Sequence, residues 1–387
     1  MHVAILHYAA PPVVGGVEEV IAHQARLLAR AGHDVHILAG RGAAWDETVP
    51  VILIPAMDSR DPKVLELKSR LDAGDIPDGF GAQVESVERE LRQALTGVEL
   101  VIAHNIASLN KNLALTAALA RITAKPGSPR LILWHHDLAW TNPHYRAELH
   151  PGWPWDLLRT PWPGAVQVTI SAHRQAELSA LQGIPPGQIR VIPNGIDLPA
   201  LLRISPAGWE LASRLDLFGC APVLLTPVRV TRRKNLELSL RVLAGLRKVL
   251  PQAALVITGP PGAHNPSNLD YLRELLELRA QLGLSGSAHI LAEHRPDGLT
   301  EEEVRDLYQL ADGLLLPSRE EGFGLPILEA GAARLPIFCT DLPPLRSLAG
   351  GWAEYFSPDG DPDTVASMVA SRLAADPAYQ LRRRVRL

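Results

Sequence analysis

Short, almost purely apolar runs recur along the chain, at residues 3–7, 35–38, 51–54, 100–104, 131–135 and 165–170. Each ends at a polar or glycine- and proline-bearing loop. Continuous apolar runs of this length read as strands covered on both faces, the signature of a parallel sheet. Between them lie longer stretches whose apolar positions recur every three or four residues, as in amphipathic helices. These predict a helix over 17–31, two helices within 58–95, and another over 109–122. Ser171 is expected to cap the helix after residue 170. The alternation then restarts, with strands at 223–227, 254–258, 288–292 and 313–316 and helices at 235–249, 269–282 and 301–310. Strand–helix repetition of this kind predicts right-handed βαβ units. Asn194-Gly195 reads as a tight turn, and the proline-bearing stretch 198–206 as a linker.

Composition agrees with two such units. A chain of 387 residues exceeds one ordinary core, and the expected domains are 1–198 and 199–387. With 47% hydrophobic and 21% charged residues it is a globular composition, and the net charge of −4 gives no reason to expect nucleic acid as a partner. Two distant cysteines make no disulfide framework, which fits a reducing cytoplasm. The first strand begins at the N-terminus without a leader-like segment, and no apolar run reaches membrane-span length. Peripheral membrane contact is compatible with this sequence, and the basic cluster at 382–387 is read as a solvated helix end.

The chemistry concentrates in G-L-L-L-P-S-R-E-E-G-F-G-L-P-I-L-E-A, residues 313–330. A buried strand runs into a loop that bares its backbone at Gly322 and Gly324, and then into a helix with Pro326 in its first turn. Free N–H groups at that helix start favour an anionic ligand. Glu321 in the loop and Glu329 on the helix add two carboxylates suited to hydroxyl groups. In P-V-R-V-T-R-R-K-N, Arg229 and Lys234 precede another helix, a fit grip for a diphosphate. Gly15-Gly16 follows the first strand but does not make G-x-G-x-x-G, so a nicotinamide cofactor is disfavoured. His135, His136 and Asp137 stand at the end of the fifth strand, the edge where open α/β sheets bind ligands. Five tryptophans, Trp134, Trp140, Trp153, Trp155 and Trp162, surround that segment. They suit either a sugar-stacking acceptor wall or the packing of a long loop. Asp361 and Asp363 form a D-x-D string, but in a turn where carboxylates cap helices, so no metal is expected.

The stretch from Glu321 to Glu329 resembles the E-x7-E motif of retaining glycosyltransferases of family four. Arg229 with Lys234, the Gly15-Gly16 loop and R-V-I-P-N-G-I-D at 190–197 match that family's other motifs in order. The resemblance implies a GT-B fold, two Rossmann-like domains with parallel sheets facing each other across a cleft, acceptor on the N-terminal side and nucleotide-sugar donor on the C-terminal side. It implies a metal-independent hexosyltransferase acting on a sugar, glycan or lipid-linked acceptor, with a cytoplasmic and potentially membrane-peripheral location. In this reading Glu329 holds the ribose, and Glu321 with Gly322, Phe323, Gly324 and Leu325 holds the sugar. Arg229 and Lys234 neutralise the diphosphate, Gly15 and Gly16 lie near the phosphates, and His136, with His135 second, contacts the sugar. Asn235 stands where the family usually has glycine. Pro343, Pro344 and Arg346 replace a glycine-rich wall, and the family's closing helix is not evident before Leu387. The alternatives are a non-catalytic nucleotide-sugar-binding scaffold of the same fold, or a GT-B epimerase or phosphorylase.

Overall fold

The computed structural model describes residues 1–261 and 267–386, the side chains of 384–386 excepted. The chain divides into two compact units, Met1–Gly195 and Ile196–Leu387. The N-terminal unit holds a seven-stranded sheet made of β1 (His2–Ala9), β2 (Asp34–Arg41), β3 (Val51–Leu53), β4 (Leu100–His104), β5 (Arg130–His135), β6 (Val166–Thr169) and β7 (Ile189–Val191), in the order β3-β2-β1-β4-β5-β6-β7. Every pairing is parallel. The C-terminal unit holds six strands, β8 (Val223–Thr226), β9 (Ala254–Ile257), β10 (Ala288–Ile290), β11 (Gly313–Leu316), β12 (Ile337–Thr340) and β13 (Ala353–Phe356), in the order β10-β9-β8-β11-β12-β13, again all parallel. Two doubly wound parallel sheets of this kind are the GT-B architecture.

Burial explains the unbroken apolar runs. Along β1, Val3 and Ile5 feed one core layer with Ile21 and Ala25 of the helix Gly16–Arg30, while Ala4, Leu6 and Tyr8 feed the opposite layer. Both faces are covered, so side chains alternate between two interiors rather than between interior and water. In the C-terminal unit β8, β11 and β12 are wholly buried within one extended core.

Several expectations are corrected. Residues 198–206 are not an open linker, because they contain the helix Leu198–Leu202 and begin the helix Pro206–Arg214. The prolines read as linker residues sit in first turns, where a missing N–H costs nothing, behind Asp197 and Ser205 as side-chain caps. No turn forms at Asn194-Gly195, which runs as irregular chain after β7. The helix expected from residue 109 begins at Leu113, since Asn112 caps it by accepting from Leu115 N–H at 3.1 Å. Ser171 does cap its helix, accepting from Arg174 N–H at 3.2 Å. Part of the loop after β9, residues 262–266, lies outside the described residues. Among the described residues, no helix is long and apolar enough to cross a membrane.

Candidate active site

In each sheet the strand order reverses once, between β1 and β4 and between β8 and β11. Loops leaving neighbouring strands in opposite directions open a crevice at the carboxyl edge, where ligands of open α/β sheets sit. The predicted residues fall at these two places.

In the C-terminal unit, the loop after β8 delivers Lys234 and the loop after β11 delivers Glu321. They meet directly: Lys234 Nζ lies 2.5 Å from Glu321 Oε1, with the two side chains only 10% and 7% exposed. Ser318 Oγ donates to the same carboxylate oxygen at 2.7 Å. Asn235 explains its place after the lysine. It holds a left-handed conformation, φ 54°, that asparagine tolerates and that a glycine would also supply. Its buried amide donates to the carbonyls of Pro317 and Pro358, at 3.1 and 2.9 Å, and so ties the lysine loop to the glutamate loop. Gly259 is needed for another reason. A Cβ there would stand 2.3 Å from the Val228 carbonyl oxygen, where the loop after β9 presses on the segment carrying Arg229.

Arg229 is exposed and has no hydrogen-bond or ion partner among the described residues. Arg232 and Arg233, which the sequence left without a role, are engaged. Arg232 pairs with Glu274 at 2.6 Å and lies over the Tyr271 ring, while Arg233 bonds the Arg319 N–H and the Glu320 carbonyl.

The helix Leu325–Ala332 starts at Gly324, whose φ of 103° suits only glycine and whose Cβ would strike Leu345 at 2.5 Å. That helix has no side-chain cap, and the N–H groups of Gly322, Phe323, Gly324 and Leu325 find no acceptor among the described residues. Phe323 and Leu325 are exposed. Glu329, on the exposed side of the helix, accepts from Tyr308 O–H at 2.5 Å. Burial, with the Glu329 carboxylate next, pushes the Tyr308 phenol well above its ordinary range, so it stays a donor. Pro343 and Pro344 open a helix, Pro343–Ala349, whose Leu345 packs against Gly324, and Arg346 pairs with Asp341 at 2.5 Å. The D-x-D string is used structurally: Asp361 caps the helix Pro362–Ala374 and Asp363 pairs with Lys248 at 2.8 Å.

In the N-terminal unit, Gly15 and Gly16 begin the helix Gly16–Arg30 without a side-chain cap, beside an open depression of about 390 Å³ lined by 11–16, Glu18, Glu19 and Ala22. Glu18 Oε1 approaches His7 Nε2 at 3.9 Å, and His7 Nδ1 donates to the His104 carbonyl at 3.0 Å. Behind them His104 Nδ1 lies 3.0 Å from His136 Nε2, and His104 Nε2 lies 2.9 Å from Gln24 Oε1. Asn105, at φ 59°, accepts from the backbone N–H groups of His136 and Asp137. Burial holds the His136 ring down at about 4 and His104 far below its ordinary value.

His135 belongs to the other face of β5, with Leu131 and Leu133. It is 1% exposed, bonds Gln167 at 2.7 Å and is unavailable to a ligand. Of the two readings of the tryptophans, packing accounts for most of them. Trp155 and Trp162 are core residues and Trp134 is buried in its strand, leaving Trp153, at 45%, as the exposed ring of the five. Strand periodicity could have separated Trp134 and His135 from the surface, and Glu18 closes the G-G-x-E string that begins at Gly15, but nothing in the sequence marked Gln24, His104 or Tyr308.

A family model described as "Glycosyltransferase Family 4" matches residues 14–199, and one described as "Glycosyl transferases group 1" matches residues 214–386. The chain belongs to a GT-B glycosyltransferase family. Among its curated glycosyltransferase relatives are the mannosylglucosylglycerate synthase of Thermotoga maritima, 26% identical over 87% of this chain and 80% of the relative. Another is the MMP alpha-(1->4)-mannosyltransferase of Mycolicibacterium hassiacum, 25% identical over 93% of this chain and 84% of the relative. The solved structure of WaaG, a glycosyltransferase involved in lipopolysaccharide biosynthesis, aligns over 99% of this chain and 94% of its own at 16% identity, with a TM-score of 0.36, a likeness too loose to argue from. The crevice between β8 and β11 brings together cations, carboxylates and backbone N–H groups without an acceptor among the described residues.

Proposed function

We propose that this glycosyltransferase moves a hexose from a nucleotide-sugar donor to a hydroxyl of a sugar, glycan or lipid-linked acceptor, with retention of anomeric configuration and without a metal ion. The observation that carries the reading is the Lys234–Glu321 pair beside the unpaired N–H groups of 322–325. A lysine ammonium has three donors, and Glu321 takes one, so the others remain for the leaving diphosphate. Exposed Arg229 adds a planar fork of donors to the same charge. In this reading the C-terminal unit is the donor side. Glu329, held by Tyr308, accepts from ribose hydroxyls, while Glu321 and the bared backbone from Gly322 to Leu325 hold the sugar. The N-terminal unit is the acceptor side, with Gly15 and Gly16 bringing backbone N–H groups near the phosphates and His136 positioning the sugar. Relatives named for mannosyl transfer favour a hexose donor.

The test is a donor screen with UDP-, GDP- and ADP-linked hexoses, scored for hydrolysis and transfer, with and without excess chelator. Expected are turnover that survives chelator and a product whose anomeric proton matches the donor configuration. Binding without turnover points to a scaffold. Turnover lost in chelator and restored by magnesium or manganese means the diphosphate grip is misassigned, and an inverted product removes the retaining assignment.

A further inference from the structure

Three imidazoles, His7, His104 and His136, are buried within the N-terminal unit at one edge of its sheet, and none makes an ordinary ion pair. Glu18 comes nearest, 3.9 Å from His7 and beyond hydrogen-bond reach. A buried neutral imidazole is a directional group: one nitrogen donates and the other accepts, and a neighbour decides which. Gln24 Oε1, 2.9 Å from His104 Nε2, can only accept, so His104 Nε2 carries the proton. His104 Nδ1 is then a lone pair, and His136 Nε2, 3.0 Å away, must donate to it. The two rings are inclined by 30° with centroids 5.3 Å apart, and the Trp134 ring packs against His104 at 5.4 Å. The His136 backbone N–H is fixed separately, by Asn105 Oδ1 at 2.8 Å. One polar ring atom is left over: His136 Nδ1 has no partner among the described residues and is not among the sealed, unsatisfied atoms.

We propose that Gln24 and His104 are positioning residues that lock His136 in the Nε2-protonated tautomer, so that the ring presents its Nδ1 lone pair to the ligand. This rests on the reading of His136 as the group that positions the donor sugar, and it sharpens that reading. A lone pair accepts a hydrogen bond from a sugar hydroxyl and repels a carboxylate at the same place. The substrate class is therefore a donor with a hydroxyl at the position His136 meets, not a uronic acid bearing its carboxylate there. Gln24 acts two bonds away, through His104, and touches no substrate.

The chain can be read without any ligand. Nitrogen-15 NMR of the full-length protein, labelled at histidine and assigned with His136→Ala, separates the two tautomers by ring-nitrogen shifts. The expected spectrum at neutral pH has His136 protonated at Nε2, and Gln24→Met converts it to a mixture. In the transfer assay with the donor selected by the screen, Gln24→Met is expected to lower kcat about fivefold, one neutral hydrogen bond's worth. Affinity for the free nucleoside diphosphate and the unfolding midpoint should stay unchanged, and Gln24→Glu, which still accepts, should recover the rate. Protonation of His136 at Nδ1 in the unmutated protein, or a Gln24→Met variant with unaltered tautomer, overturns the proposal. Full kcat in His136→Ala would instead overturn the functional reading of that ring, while the spectrum still reports on the chain by itself.

Discussion

Replacing Glu321 by glutamine keeps the shape of the side chain and removes its charge, which isolates what the pair with Lys234 contributes. Both partners are about nine-tenths covered, and Glu321 Oε1 also receives the Ser318 hydroxyl. Removing one member of a buried pair costs about 3–5 kcal/mol, because the surviving charge stays desolvated. Here the amide oxygen of glutamine can still accept from Lys234 and Ser318, and the partly exposed ammonium can draw in water. The expected cost is therefore about 2 kcal/mol, near the difference between a charged and a neutral hydrogen bond. For a unit of this size that lowers the unfolding midpoint by about 4–8 °C.

The same substitution should act oppositely on binding and on transfer. Lys234, released from its counter-ion, faces a diphosphate with more uncompensated charge, so affinity for UDP or GDP should be no weaker and the nucleotide should recover stability by mass action. Transfer should slow, since the carboxylate that positions the sugar is gone. Differential scanning calorimetry of the full chain with and without nucleotide, beside steady-state kinetics, reads all three. An unchanged midpoint would refute the buried pair. Loss of nucleotide binding in Glu321→Gln, with binding kept in Glu329→Gln, would reverse the roles of the two carboxylates.

Other outcomes follow from particular contacts. Tyr308→Phe removes the donor that holds Glu329 and should weaken nucleoside diphosphate binding about fivefold, for a bond worth about 1 kcal/mol, as read by calorimetric titration. Asn235→Ala meets a positive φ and leaves the Pro317 and Pro358 carbonyls without their donor, so a loss of about 2–3 kcal/mol in denaturant melts is expected, with Asn235→Gly milder because only the bonds are lost. Acid should destabilise the N-terminal unit. Burial lowers His135 to about 4 in the folded chain, so between pH 6.5 and 4 the unfolded chain binds more protons and stability falls with pH, by about 2–3 kcal/mol at pH 4.5 for this ring. Urea melts at pH 7 and 4.5 check the sign, with His135→Leu expected to shrink the dependence by this ring's share while His104 and His136 retain theirs. An equal loss in the unmutated chain and in His135→Leu would mean the ring is charged in the fold.

Ten of the strands were legible because most are apolar on both faces, and a run of that kind has few alternatives at its length, whereas β7 and β13 are short and half-exposed and were not foreseen, nor was β12. His135 looked available because it closes the strand at the ligand-binding edge, although its place in the alternation of β5 marks the face it takes. The side chain of β5 that follows Leu131 and Leu133 by twos had to enter the core layer they line. The prolines from Pro199 to Pro206 misled for a related reason: proline ends a helix and also starts one, and only the capping partners Asp197 and Ser205 decide between them.

The candidate site divides in the same way. Residues that must be one type to let a backbone pass are visible in a sequence, and Gly324 is one, with its left-handed φ and Leu345 against its missing Cβ. Residues that act by pairing across the fold are not, because the partner is far away in the chain. Lys234 and Glu321 are 87 positions apart, and His104 is 80 from Gln24. The sequence assigned Lys234 to the diphosphate and Glu321 to the sugar as separate tasks. Their contact makes them one unit, so in the proposed reading the carboxylate assigned to the sugar also sets how much of the lysine's charge meets the phosphates. A donor entering this site must therefore share the ammonium with Glu321 rather than replace it, since losing the ion pair would leave a buried carboxylate beside an anionic ligand.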